Sequence, residues 1–266
     1  MLMNEIIDIM EKIAPSNLAM VKDNIGLSFG SKNTEVKKIL VALDAVDAVV
    51  DEAIELNAKA IITHHPMIFS PINQIDTDTS LGKRIQKMSK YDICHFVAHT
   101  NYDAVESGVN DIMFEHLGLN SKGYIMDMEN TGVFYGRTAE LPSTMKNISL
   151  ESFAKFVGNK LNLDTIQYCG DPKNIVKKLA ISCGSAAKEA FFEAAVANQC
   201  DTYITGDIKY HMALYALDLG LNLVDAPHYY AENLSMAPLA KYLRQHIGSK
   251  AEVVVSSINA SPFNRI

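Results

Sequence analysis

Short runs of aliphatic residues alternate along this chain with segments of helical period, and that alternation does most to narrow the folds open to it. Lys38 to Leu43, Ala60 to Thr63 and Ile93 to Ala98 read as buried strands in the first half, with helices over Val46 to Leu56, Leu81 to Lys90 and Val109 to Leu117. The second half repeats the theme, with strands at Thr165 to Tyr168, Lys178 to Ser182, Asp201 to Thr205 and Leu221 to Val224. Its helices are expected at Leu150 to Leu161, at Ser185 to Asn198 and in a segment that ends at Gly220. Strands without polar alternation, separated by helices, predict βαβ units and a mostly parallel sheet covered on both faces. The expected class is therefore α/β, two α/β lobes with mostly parallel sheets covered by helices.

Leu2, Ile6, Ile9 and Ile13 recur at helical spacing before Pro15, so an amphipathic helix opens the chain. A last helix is expected from about His228 to His246. The stretch Gly123 to Gly136, with Asn130-Thr131-Gly132, is richest in turn residues and divides the chain into lobes of 1–125 and 126–266, the last helix packing back on the first lobe.

The balance of 31 acidic against 24 basic residues, a formal charge of −7, argues against a nucleic-acid partner. No uncharged apolar run approaches the ~18 residues of a bilayer span, and the acidic, lysine-poor N-terminus fits neither a secretion signal nor a transit peptide. Cys94, Cys169, Cys183 and Cys200 are widely spaced, as reduced thiols of a cytoplasmic protein are.

Three apolar segments end in residues that hold metals. Thr63-His64-His65-Pro66 follows one, His99-Thr100-Asn101-Tyr102-Asp103 another, and Asp225-Ala226-Pro227-His228-Tyr229-Tyr230-Ala231-Glu232 the third. Open α/β sheets place their sites at the carboxyl ends of strands. Pro66 favours an extended His65, so that His64 and His65 diverge and can serve different ions. His228 and Glu232, four apart, share a helix face. Five candidates exceed the three protein ligands of one catalytic zinc and suit two ions sharing a carboxylate.

Each cluster alone has an ordinary explanation. A His-His pair is common in loops, and an exposed His228–Glu232 pair is worth only about 0.3 kcal/mol. Three strand ends carrying only hard or borderline ligands favour metal. His99 is a candidate for hydrogen bonding behind the ligands, whereas His95, His116, His211 and His246 stand outside any cluster. Ser185 and Asp207 read most simply as helix caps.

In combination and order, these segments resemble the Nif-three-like family, also called GTP cyclohydrolase I type 2 homologues or dinuclear metal centre proteins. The likeness runs from Asp23-Asn24-Ile25-Gly26-Leu27 through ITHHPMIF, AHTNYDA, GVFYGR, Gly184-Ser185, YITGDIKYH and DAPHYYAE to Ser261-Pro262-Phe263. Pro227 departs from the glycine usual before the histidine. The chain is short enough to lack the inserted domain of longer members. The resemblance implies a two-lobed protomer with the metal site in the cleft between the lobes, His64, His65, Asp103, His228 and Glu232 as metal ligands with Glu232 bridging, two divalent ions (zinc, iron, manganese or nickel), and a homohexamer. It implies a metal-dependent hydrolase in which metal-bound hydroxide attacks the guanine ring of GTP and formate is released. The resemblance thus implies a small-molecule substrate, a nucleotide. A dinuclear phosphoester hydrolase and a non-catalytic metal-binding, metal-delivery or interaction protein are the alternative readings.

Overall fold

A computed structural model describes residues 1–127 and 131–264. Asn130 of the expected boundary turn lies outside them. The chain forms two compact units, Met1–Val105 with Ser235–Ile266, and Glu106–Leu234. The division thus falls at 105/106 instead of 125/126, and the turn-rich stretch belongs inside the second unit.

The first unit opens with α1 (Met3–Ile13), which buries Met3, Ile6 and Met10. The buried stripe is rotated from the expected one, and Leu2 stays exposed. Then follow β1 (Gly26–Phe29), β2 (Lys38–Ala42), α2 (Asp47–Glu55), β3 (Ala60–Thr63), α3 (Ser80–Lys90), β4 (Cys94–Val97) and the short α4 (Thr100–Ala104). β2, β3 and β4 are parallel neighbours, and β1 adds antiparallel to β4. Val49, Val50 and Ala53 of α2 and Met88 of α3 pack on Leu40, Ala42 and Ile61 of the sheet. Each large side chain so buried contributes roughly 1.5–3 kcal/mol. Thr79 caps α3 by accepting the Gly82 N–H at 3.1 Å.

His95 on β4 is fully buried. Burial, with a smaller effect of the Arg84 charge, lowers its pKa to about 4, so the ring is neutral near pH 7.

The second unit comprises α5 (Val109–His116), β5 (Met126–Asp127), β6 (Phe134–Tyr135), β7 (Arg137–Glu140), α6 (Leu150–Lys160), β8 (Gln167–Cys169), β9 (Lys178–Ile181), α7 (Glu189–Ala197), β10 (Thr202–Thr205), α8 (Tyr210–Asp218), β11 (Asn222–Asp225) and α9 (His228–Glu232). Its main sheet has the order β7-β9-β10-β11-β8, parallel in the middle with antiparallel strands at both edges. Phe153, Ala154 and Val157 of α6 and Met113 and Phe114 of α5 pack with Leu179, Ile181, Ile204 and Val224. Phe192 of α7 meets Tyr203 of β10 edge to face at 5.4 Å. Both units are thus α/β, with parallel strands under helices.

Three expected details differ. The α7 helix begins at Glu189, and its N-cap is Lys188, so Ser185 is not the cap. Lys209, not Asp207, is the N-cap of α8. The expected helix from His228 to His246 is broken by a 3-10 turn at Asn233–Ser235, after which α10 (Met236–Ile247) belongs to the first unit. There α10 packs on β2, and β12 (Glu252–Val255) pairs in parallel with β2. Among the described residues no helix is long and apolar enough to cross a membrane.

Candidate metal centre

Parallel register brings the ligand-type residues of the first unit together. Ala42 pairs with Thr63, so Asp44, two residues beyond one strand, stands level with His65, two beyond the other. The Asp44 Oδ1 accordingly accepts from His65 Nδ1 at 2.7 Å. His64 is fully buried, and its Nδ1 donates to the Ala98 carbonyl at 2.9 Å. Because a carbonyl only accepts, that bond leaves a lone pair on His64 Nε2, which faces Asp103 Oδ1 at 3.6 Å. Asp103 is carried by α4, one turn after His99.

His99 donates from Nδ1 to both oxygens of Asp23, at 2.8 and 3.0 Å, and the Thr100 N–H reaches Asp23 at 3.1 Å. Burial opposes ionisation of Asp23, but the hydrogen bonds of His99 and Thr100 outweigh it and hold the carboxyl at about 2. Asp23 is therefore an anion at any pH near neutral. One ring nitrogen from each of His64, His65 and His99 lies within 4.8 Å of the others.

The second unit builds a matching group. Thr205 pairs with Asp225, so Asp207 stands level with Pro227, one residue before His228. His228 Nδ1 donates to Asp207 Oδ2 at 2.7 Å, and its Nε2 lies 2.9 Å from Glu232 Oε2. Helical spacing gives the second contact, and the strand end gives the first. Two glycines make the space. A Cβ on Gly184 would stand 2.1 Å from Glu232 Oε1, and one on Gly206 would stand 2.9 Å from both the Ala226 carbonyl oxygen and the His228 nitrogen.

This donor set fits a divalent cation. Imidazole nitrogens facing carboxylates are the ligands that zinc, iron, manganese and nickel accept. Metal-bound histidines ordinarily donate their second nitrogen to a carboxylate or carbonyl, as His64, His65 and His228 do here.

The sequence singled out His64, His65, Asp103, His228, Glu232 and His99, and within each unit these residues fall into such groups. It passed over Asp44, took Asp23 as part of the family likeness, and read Asp207 as a cap. The available signal was position: Asp44 and Asp207 follow strands that neighbour the histidine-bearing ones. Of the remaining histidines, His95 bonds Ser28 and Thr63, His116 the Lys160 carbonyl and His246 the Tyr242 carbonyl.

Parallel sheets under helices, with histidine and carboxylate groups at their strand ends, define an α/β protein with candidate metal-binding groups. The chain belongs to the Duf34/NIF3 (NGG1p interacting factor 3) family, whose model matches residues 1–262. It is 37% identical to a Clostridium perfringens protein named GTP cyclohydrolase 1 type 2 homolog, over all of both chains. It is 30% identical to the Helicobacter pylori protein named GTP cyclohydrolase 1 type 2, over 87% of each. Among solved structures it resembles a Bacillus cereus protein related to NIF3, with TM-score 0.91 and 27% identity over 100% of this chain and 99% of the other. HcgD from Methanocaldococcus jannaschii is similar at TM-score 0.81 and 28% identity, over 97% of this chain and 98% of its own.

Proposed function

We propose that His64, His65, Asp103, His228 and Glu232 together hold two divalent cations, with Glu232 bridging, and that the protein is a metal-dependent hydrolase of the GTP cyclohydrolase type. The observation that carries this reading is the hydrogen bonding of the three histidines. Each commits Nδ1 to an oxygen acceptor, Ala98, Asp44 or Asp207, which fixes the ring and presents Nε2 as the ligand atom. The names of the Clostridium and Helicobacter relatives support the substrate class.

Bound divalent cations supply charge stabilisation and lower the pKa of water toward ~7, which suits hydrolysis at neutral pH. The chain's own residues do the rest. Asp44 and Asp207 keep His65 and His228 oriented. His99, its Nδ1–H held by the anionic Asp23, presents Nε2 to accept a proton during opening of the guanine imidazole ring and release of formate. A homohexamer in the cytoplasm completes the proposal, and the four free thiols accord with a reducing compartment.

The test is metal content together with formate release from GTP, for the wild type, His64→Ala and Glu232→Gln. Loss of metal and of turnover in both variants is expected. Full metal in both variants overturns the ligand assignment. A metal-loaded wild type that releases no formate overturns the cyclohydrolase assignment and leaves a metal-binding protein. Sedimentation at six chain masses is the expected assembly, and a stable monomer refutes that part.

A further inference from the structure

Ser28, His95 and Thr63 lie on β1, β4 and β3, three neighbouring strands of the first sheet. Ser28 Oγ is 2.6 Å from His95 Nδ1, and Thr63 Oγ1 is 2.7 Å from His95 Nε2 and 2.7 Å from the His65 carbonyl oxygen. For a neutral ring, one arrangement of protons satisfies all three contacts. The carbonyl can only accept, so the single Thr63 hydroxyl hydrogen goes to it. Thr63 Oγ1 must then accept from His95, which puts the ring hydrogen on Nε2. That leaves a lone pair on Nδ1, to which the Ser28 hydroxyl donates. The run therefore has one direction, from Ser28 through His95 and Thr63 to the His65 carbonyl, and bonds in such a chain reinforce one another.

The run ends where the histidine pair begins. The His65 N–H donates to the Leu43 carbonyl at 3.0 Å, so the Thr63 hydroxyl clamps the residue from its other side. The Thr63 carbonyl accepts from the Ala98 N–H at 2.9 Å, and the Ala98 carbonyl is the acceptor for His64 Nδ1. Thr63 thus touches the fixings of both histidines, by its side chain and by its backbone. Both Thr63 and His95 are fully buried. Apolar residues of the same shapes would hold the sheet about as well, so stability alone does not account for a polar run here.

We propose that Ser28, His95 and Thr63 form a one-way hydrogen-bond relay that fixes the His65 peptide and so aims the His64 and His65 imidazoles, Thr63 being a positioning residue for divalent-cation binding. The cation-binding part rests on the metal reading above.

Two measurements on the full chain test it. Imidazole 15N spectra of the metal-free protein should show His95 as the Nε2–H tautomer, and an Nδ1–H tautomer overturns the relay whatever the metal does. Cobalt(II) titration against a competing chelator, with its visible spectrum, is then compared for wild type, Thr63→Val and Thr63→Ser. Thr63→Val should bind about 10–100-fold more weakly with an altered spectrum, while Thr63→Ser stays within about threefold of wild type. Equal affinity of Thr63→Val and wild type, or Thr63→Ser as weak as Thr63→Val, overturns the proposal. Should Thr63→Val not fold, Ser28→Ala replaces it: His95 should keep the Nε2–H tautomer, which Thr63 and the His65 carbonyl set, while cobalt binding weakens about threefold, and an Nδ1–H ring or unchanged cobalt affinity refutes the relay. If wild type binds no cobalt, or His64→Ala binds it as well as wild type, the metal reading falls and the positioning role with it, while the tautomer still decides the proton order.

Discussion

Gly184→Ala isolates the space that Glu232 occupies. Gly184 has φ +73°, and a Cβ there would stand 2.1 Å from Glu232 Oε1, 3.1 Å from its Cδ and 3.3 Å from His228 Nε2. Ordinary contact begins at 3.4 Å, so the carboxylate would have to retreat by about 1.3 Å. A displacement near 1 Å in a positioned group costs on the order of 100-fold, so divalent-cation affinity should fall roughly 10–100-fold. The left-handed backbone adds a separate cost of ~1–2 kcal/mol for any residue with a Cβ, seen as a Tm lower by roughly 2–8 °C. Gly220 provides the control, since its φ is +74° and nothing lies within 4 Å of its would-be Cβ. Gly220→Ala should share the Tm loss and keep metal affinity. Both variants would be followed by calorimetry in chelator and by competition titration with zinc. If Gly184→Ala binds zinc as tightly as Gly220→Ala, Glu232 is not a ligand whose place that glycine protects.

Two further outcomes follow from the hydrogen bonding. Asp44→Ala removes the acceptor of His65 Nδ1 and should weaken metal binding about 10–100-fold with little change in metal-free Tm; unchanged affinity would show that Asp44 does not orient a ligand. His95 governs an acid-side loss of stability. Its folded pKa of about 4 lies below the ~6.5 of an unfolded histidine. A depressed folded value means the stability is fully present above pH ~6.5 and is lost as pH falls toward 4, because only the unfolded state takes up the proton. The loss should reach roughly 2–3 kcal/mol by pH 4.5, measured by urea unfolding in chelator. A His95→Gln variant should lack that component of the slope, and the same pH dependence in the variant would refute the assignment.

Much of the architecture could be read from local pattern because the parallel strands are continuous apolar runs. Ala60 to Thr63 was expected as a strand and is one, and the helix expected at Leu150 to Leu161 spans Leu150–Lys160. The strands not anticipated are β1, β5, β6, β7 and β12. β1 and β7 pair antiparallel at sheet edges, and their partners lie far away in sequence. Gly26–Phe29 is only half-buried along its length, so it carries no strong apolar signal. The break after Glu232 was hidden for a related reason: helical period continues through Asn233–Ser235, while the change of unit at Ser235 is a matter of tertiary packing. At the candidate site the ligand-type residues were legible as chemistry at strand ends. The carboxylates behind them were not, because Asp44 and Asp207 reach their histidines by register between strands, which one sequence does not display.

The return of the chain to its first unit bears on how the protein is made. Glu106–Leu234 is contiguous and holds every strand of its own sheet, so it can finish folding as soon as it leaves the ribosome. The earlier-synthesised unit cannot. Until Glu252–Val255 emerges, the apolar strand Lys38–Ala42 waits with one row of backbone donors and acceptors uncovered. An unpaired edge of that kind invites pairing with other chains. The nascent protein is thus most prone to aggregate while its second unit is being translated, and shortening the chain before Glu252 would make that transient hazard permanent.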